Sequence, residues 1–355
     1  CNSSGIGGTI KLLGDKVGLI GNARVDASGE AGGGTVLVGG DFQGKNPEIQ
    51  NASQTLIGPG AQIRADAIQN GDGGTVIAWG NDTTQFYGTI SARGGANSGN
   101  GGFVETSGSY LDFSGAVSTL APNGSAGTLL LDPQNLTVAT AGVAAIPTGF
   151  ANPANTGTVS ISPASLQTAL QGGNVILFAN TDITFNNNVN VASGAHNLVL
   201  RAGRSEIISN NVSVSIDGLF DATFNDAGAT PAQRTAGAAA FTMNTGSSIN
   251  APGGVFIRSG TLAAAATGSP SIASNTGTMT LRSITSGGNV VLQGGQDITL
   301  SGTVSVTGGA RFTAQAGRHI NVNGALTTTN GQIILEADSP TATTGAADRI
   351  GQLTI

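Results

Sequence analysis

The chain has 355 residues, 57 of them glycine, with only 4% aromatic and 10% charged residues and a net charge of −6. The glycines follow no Gly-X-Y period, which excludes collagen, and no apolar run approaches the ~20 residues needed to cross a bilayer as a helix. The absence of any basic run argues against nucleic acid and anionic membrane as partners.

Residue 1 is the single cysteine, so no internal disulfide is possible. Cys1 in CNSSG reads either as the lipid-bearing first residue of a lipoprotein or as the boundary of a fragment. From there to residue 133 one unit recurs. Its openings are GGTIKLLG, GGTVLVGG, GGTVIAWG, GGFVETSG and AGTLLLDP, with first apolar residues Ile10, Val36, Val76, Val104 and Leu129. Fixed-period self-similarity of this kind signals a stacked repeat architecture. Leu12, Val38, Ala78, Thr106 and Leu131 form a second apolar or small column. Between the two lies a mixed column of Lys11, Leu37, Ile77, Glu105 and Leu130. A column holding both Lys and Glu is expected to face solvent, because side chains alternate across a strand. The second run of each unit repeats the pattern, with Val25, Ile63, Ile90 and Val117 inward. The step from Val36 to Val76 is longer than its neighbours, and the extra residues are expected as a loop around 45–59.

These strings resemble the exoproteins of bacterial two-partner secretion, the filamentous-haemagglutinin-like family. The resemblance lies in GGTIKLLGDKVGLIGNARVDASG (7–29), GGGTVLVGGDFQG (32–44), GGTVIAWGNDTTQFYGTISARGG (73–95), GNGGFVETSG (99–108) and GTLLLDPQNLTV (127–138). They look like the segment that follows the amino-terminal secretion domain. That domain's own NPNG- and NPNL-type motifs do not occur. The resemblance implies secretion through an outer-membrane transporter, a cell-surface or secreted location in a Gram-negative bacterium, and a piece of a longer adhesin. Neither end reads as a cap, so further β-helix is expected on both sides.

Residues 134–171 read as an irregular connection with one short helix near 163–171, where Ser162 can cap, Pro163 suits the first position and Gly172 can end it. Residues 172–355 form a second array with a period of about 22. Its expected inward columns are Val175, Leu198, Val290, Phe312 and Ile333; Ile183, Ile207, Ile298 and Ile320; and Val189, Val212, Val304 and Leu326. Three short strands per coil is the geometry of a three-sided right-handed parallel β-helix. The stretch 219–250 is expected to be an irregular coil.

Candidate chemistry is sparse. β-Helix enzymes acting on polysaccharides need converging acids or a metal. Here most acids occur singly, and the pair Asp66 and Asp72 straddles a glycine turn with no histidine nearby. His196 and His319 lie in different coils and read as turn residues. Asp297 and Arg318 occupy equivalent turns of successive units, which predicts a salt bridge. A calcium roll needs carboxylates at a fixed short period, and none recurs. The Asn-rich turns 186–188 and 210–211 suit ladders along a solenoid. The cluster Trp79, Phe86 and Tyr87 stands out in an aromatic-poor chain. An exposed indole can stack on a sugar or anchor a partner; alternatively Trp79 packs beneath the long loop.

The sequence thus points to an all-β, right-handed parallel β-helix serving as a non-catalytic shaft segment of a surface exoprotein. No cofactor or metal is expected. A host or bacterial surface glycan or protein is the expected contact, with Trp79, Phe86 and Tyr87 as candidate contact residues. Two other readings stay open: a carbohydrate-active β-helix enzyme, and a capture protein for a host macromolecule acting through an inserted loop.

Overall fold

The computed structural model describes residues 5–140, 149–150, 159–191, 194, 196–230, 233–260, 277–339 and 351–355. Cys1, and residues 141–148 and 151–158 of the expected connection, lie outside them. The described secondary structure is short strands in all-parallel sheets, with one α-helix and one 3-10 turn. Parallel strands stack in register, coil upon coil, as a parallel β-helix does. The chain divides into two compact units, 1–134 with 139–177, and 135–138 with 178–355.

In the first unit Ile10, Val36, Val76, Val104 and Leu129 pair in that order across five strands, and Val175 follows. Four of these six side chains are fully buried at 0% exposure, as stacked β-branched residues facing a narrow interior should be. A further wall aligns Val25, Ile63, Ile90 and Val117. Between the two runs lies a strand the repeat pattern does not announce. Lys16–Leu19 pairs with Gln54–Ile57, which pairs with residues 83–86 of the long strand Thr75–Phe86. The insertion is therefore not a loop over 45–59: its last part is strand, and the excursion runs over 39–53. Helix Pro163–Gly172 starts as expected, with the Ser162 hydroxyl accepting from the Ser165 N–H at 3.0 Å. Its Leu166, Ala169 and Leu170 are buried. The Gly172 carbonyl accepts from Thr119 N–H at 2.7 Å, so the helix covers the edge of strand Ala116–Ser118.

In the second unit one wall aligns Leu198, Phe220, Val255, Val290, Phe312 and Ile333. A second aligns Leu136, Ile183, Glu206, Phe241, Met279, Ile298 and Ile320. The expected Ile207 is displaced by one residue: Glu206 holds the interior position and Ile207 faces outward. The third wall carries Val214, not Val212, opposite Val189. The coil over 219–250 keeps three strands in register, Phe220–Phe224, Ala240–Met243 and Ser248–Asn250. Its irregularity is confined to the insertion between Phe224 and Ala240.

Candidate functional site

The charged side chains fall into two kinds of setting. Most tie one coil to the next at a corner. Arg318 Nε donates to Asp297 Oδ1 at 2.7 Å, and the His319 N–H reaches the same oxygen at 3.2 Å, which forms the expected bridge. Arg204 Nε and Ser205 N–H hold Asp182 Oδ1 in the same way, at 2.8 and 3.0 Å. Asp66 accepts from the Arg93 N–H at 2.8 Å, from Ser91 Oγ and from Arg64, so it is a corner tie. Asp72 Oδ1 accepts from the Asn100 N–H at 2.6 Å in another such tie. Asn186 and Asn188 reach the next coil through Ser209 Oγ and the Ser213 N–H. An amide ladder does form elsewhere, from Gln293 to Gln315 and on to Glu336. His319 Nδ1 accepts from Gln352 N–H at 3.0 Å. Among the described residues no three His, Cys, Asp or Glu side chains gather as metal ligands.

The other setting is built on the outer face of the first unit. The mixed column does point outward, yet Leu37, Ile77, Glu105 and Leu130 are all buried. The cause is the 39–53 excursion, which folds back over the sheet. Its ends are pinned by Gly39 N–H to Leu12 O at 2.9 Å and Ala52 N–H to Gly39 O at 2.6 Å. Gly39 has φ 77°, and a Cβ there would sit 2.0 Å from Thr55 Oγ1, so only glycine makes this exit. Asp41 caps the 3-10 turn Phe42–Gly44, accepting from Phe42 N–H at 2.7 Å and from Asn46 Nδ2 at 2.6 Å. The Phe42 ring lies 5.9 Å from that of Phe103.

Gln43 is the contact that seals the excursion. It adopts φ 52°, ψ 21°, a left-handed conformation uncommon for a residue with a side chain. That conformation turns its N–H onto both carboxyl oxygens of Glu105, at 3.2 and 3.1 Å. Its side-chain Nε2 donates to Asp132 Oδ2 at 2.9 Å, and its Oε1 accepts from Lys45 Nζ at 2.7 Å. Glu105 and Asp132 stand on adjacent strands, in the register Glu105 opposite Leu130 and Ser107 opposite Asp132. Burial pushes the Glu105 carboxyl up to about 7, against the Gln43 N–H, with Asp132 and Asp41 adding to the rise. Burial likewise pushes Asp132 up to about 7, opposed by Gln43 and Lys45. Two acids from neighbouring coils thus converge, as a β-helix enzyme requires, but Glu105 is 0% exposed and faces a loop instead of a groove.

The three aromatic candidates separate. Trp79 lies half-buried beneath this same loop: a Cβ on Gly40 or Gly44 would fall 2.6–2.7 Å from its indole, and its Nε1 donates to Asn81 Oδ1 at 2.8 Å. Phe86 is fully buried, stacked against Phe113 at 5.3 Å in the interior, which removes it from any contact cluster. The sequence reading missed this because the unannounced strand turns residue 86 inward. Tyr87 is half-buried at a corner, its hydroxyl donating to Asp112 Oδ2 at 2.6 Å. Burial, then Asp112, push that phenol up. Tyr87 lines an open groove of about 380 Å³ with Thr89, Ser114, Ala164, Ser165 and Thr168.

Sequence reasoning also missed Glu206. It is 1% exposed, and neither carboxyl oxygen has a hydrogen-bond partner. Burial holds its carboxyl well above the ordinary range, with Arg201 and the Thr223 N–H opposing and Asp226 and Asp221 adding. The AGR corner was the available signal, since Glu206 follows Arg204 by two residues as Ile320 follows Arg318.

Fold and site together define a parallel β-helix with a lidded outer face. No family model matches the chain, and no curated protein matches it.

Proposed function

We propose that this chain is a non-catalytic shaft segment of a secreted or surface-exposed bacterial exoprotein of the filamentous-haemagglutinin-like kind, carried out by an outer-membrane transporter. Continuous backbone ladders and an aliphatic interior make stacked coils stiff, which suits holding a binding element away from a surface. One observation supports this reading most: the carboxylates that do converge, Glu105 and Asp132, are sealed under Gln43, while many of the other acids tie coils together. A hydrolase or lyase needs its acid pair open to a sugar chain. The Tyr87 groove is one place on the first unit where a saccharide or protein could be contacted.

Two measurements test the reading. Antibodies raised against this chain should label intact cells of the producing bacterium, and labelling should be lost when the transporter gene is deleted. Labelling only after lysis would count against it. Incubated with neutral and acidic polysaccharides, the purified protein should release no reducing ends and no unsaturated products; release that disappears in Glu105→Gln would favour the enzyme reading instead.

A further inference from the structure

The lid over Glu105 is held by polar contacts and by the packing of Phe42 on Phe103 and of Gly40 and Gly44 on Trp79. Its sealing residue, Gln43, carries a left-handed backbone. Gln43 donates to both acids at once, so the lid shuts only by bringing two carboxyl groups out of water. Charged groups on every element around them are few. The lid contributes Asp41, Lys45 and Glu48, and the Glu105 strand contributes no other titratable group on its outer side before Tyr110. Asp132 comes from the next strand, and Lys11 stands at the exposed end of the mixed column. Lys45 is the single cation the structure places at the pair, against Glu105, Asp132 and Asp41. Side by side with Glu105 in register are Ile77 and Leu130, which offer an ionised carboxylate nothing.

We propose that the 39–53 excursion is a proton-dependent latch on the first unit: it lies shut while Glu105 and Asp132 are neutral acids beneath Gln43, and lifts from the sheet when they ionise. Opening exposes Ile77, Phe103 and the Trp79 indole, an apolar strip on the outer face of the sheet.

The sign follows from the raised pKa values. The shut form binds protons that the open form, with its acids in water, gives up. Closure is therefore tightest below the ordinary carboxylate range near ~4, weakens as pH rises, and changes no further above about 7. Each proton released makes opening up to about tenfold easier per pH unit inside that window.

Trp79 is the only tryptophan of the chain, so its emission reports the lid. Both histidines, His196 and His319, belong to the other unit and do not complicate the window. The whole protein is titrated from pH 5 to 8 while Trp79 emission is recorded, and amide-exchange protection factors are measured at both ends. Emission should move to longer wavelength as pH rises and level off near 7. Protection should fall at residues 42–45 while residues 75–78 of the sheet keep theirs. In the double variant Glu105→Gln/Asp132→Asn both signals should stay at their low-pH values throughout. An unchanging Trp79 signal with constant protection at 42–45 in the unaltered protein would overturn the proposal, and so would a double variant that titrates as the parent does.

Discussion

Glu105 and Glu206 are both buried glutamates on β-helix walls, and their surroundings could hardly differ more. Glu105 points away from the interior and is covered from outside by an inserted loop whose Gln43 N–H donates to both of its oxygens. Glu206 points into the interior, in a column otherwise filled by Leu136, Ile183, Phe241, Met279, Ile298 and Ile320, where Arg201 and the Thr223 N–H offset its burial only in part. The first site can open by moving fifteen residues; the second opens only when the stack itself comes apart. Burial alone therefore does not say what a carboxylate does. What matters is whether the cover can leave without breaking the fold.

The strongest way to probe this contrast is to copy Glu206's predicament elsewhere. Ile298→Asp places a second carboxylate in the same interior column, where the side chain is 0% exposed. Unfolding stability should drop by ~3–5 kcal/mol, the range for an uncompensated buried charge. Thr299→Asp, one residue along and outward, should stay within ~0.5 kcal/mol. Equal shifts of the denaturation midpoint in the two variants would mean the register is wrong.

The reverse experiment removes the predicament. Glu206→Met should stabilise the protein by ~1–3 kcal/mol at pH 8, since a buried group without partners costs about that much. The gain should shrink as pH falls toward ~4, because the folded state keeps Glu206 protonated while the unfolded chain releases its proton above that pH. A gain equal at both pH values would show that volume, not ionisation, is at issue.

A smaller effect is expected where a carboxylate is well served. Arg318 beside Asp297 holds that carboxyl below its usual range, with the His319 N–H helping. Asp297→Asn should cost ~0.5–1 kcal/mol at pH 7, a modest figure because the pair is partly exposed. Asp297 contributes above the ordinary aspartate pKa of ~3.9 and loses that contribution as pH falls through its lowered value. Below that point the parent and the variant should unfold alike in a chemical denaturation series.

Much of this was legible beforehand. The glycine-opened repeats located Ile10, Val36, Val76, Val104 and Leu129 on one wall, and Ser162-Pro163 announced the helix. The Asp297–Arg318 bridge followed from equivalent corners. Three things were hidden, each for a physical reason. Strand Gln54–Ile57 reads QTLI, too short and too polar to declare itself within an insertion. Glu206 lost its column to Ile207 because a hydrophobic pattern assigns interior positions by residue type, and a buried acid breaks that rule. Alternation placed Glu105 on the outward face correctly but in solvent wrongly, for it is fully buried; what covers it comes from 62 residues earlier in the chain, and no local pattern records such a contact.

The paired corners Asp182–Arg204 and Asp297–Arg318 have a bearing on how such a protein changes over generations. Each tie joins a corner to the same corner one coil later, so it depends on the repeat and not on any absolute position along the stack. Duplicating or excising a whole coil elsewhere in the stack leaves both ties intact, and lengthens or shortens the stack by ~4.8 Å. Gaining or losing a single residue within a strand, by contrast, turns that part of a wall inside out, whereas corners absorb such differences: the coil from Val290 to Phe312 is one residue longer than that from Phe312 to Ile333. A change of length by whole coils is thus compatible with these corners, and a change within a strand is not.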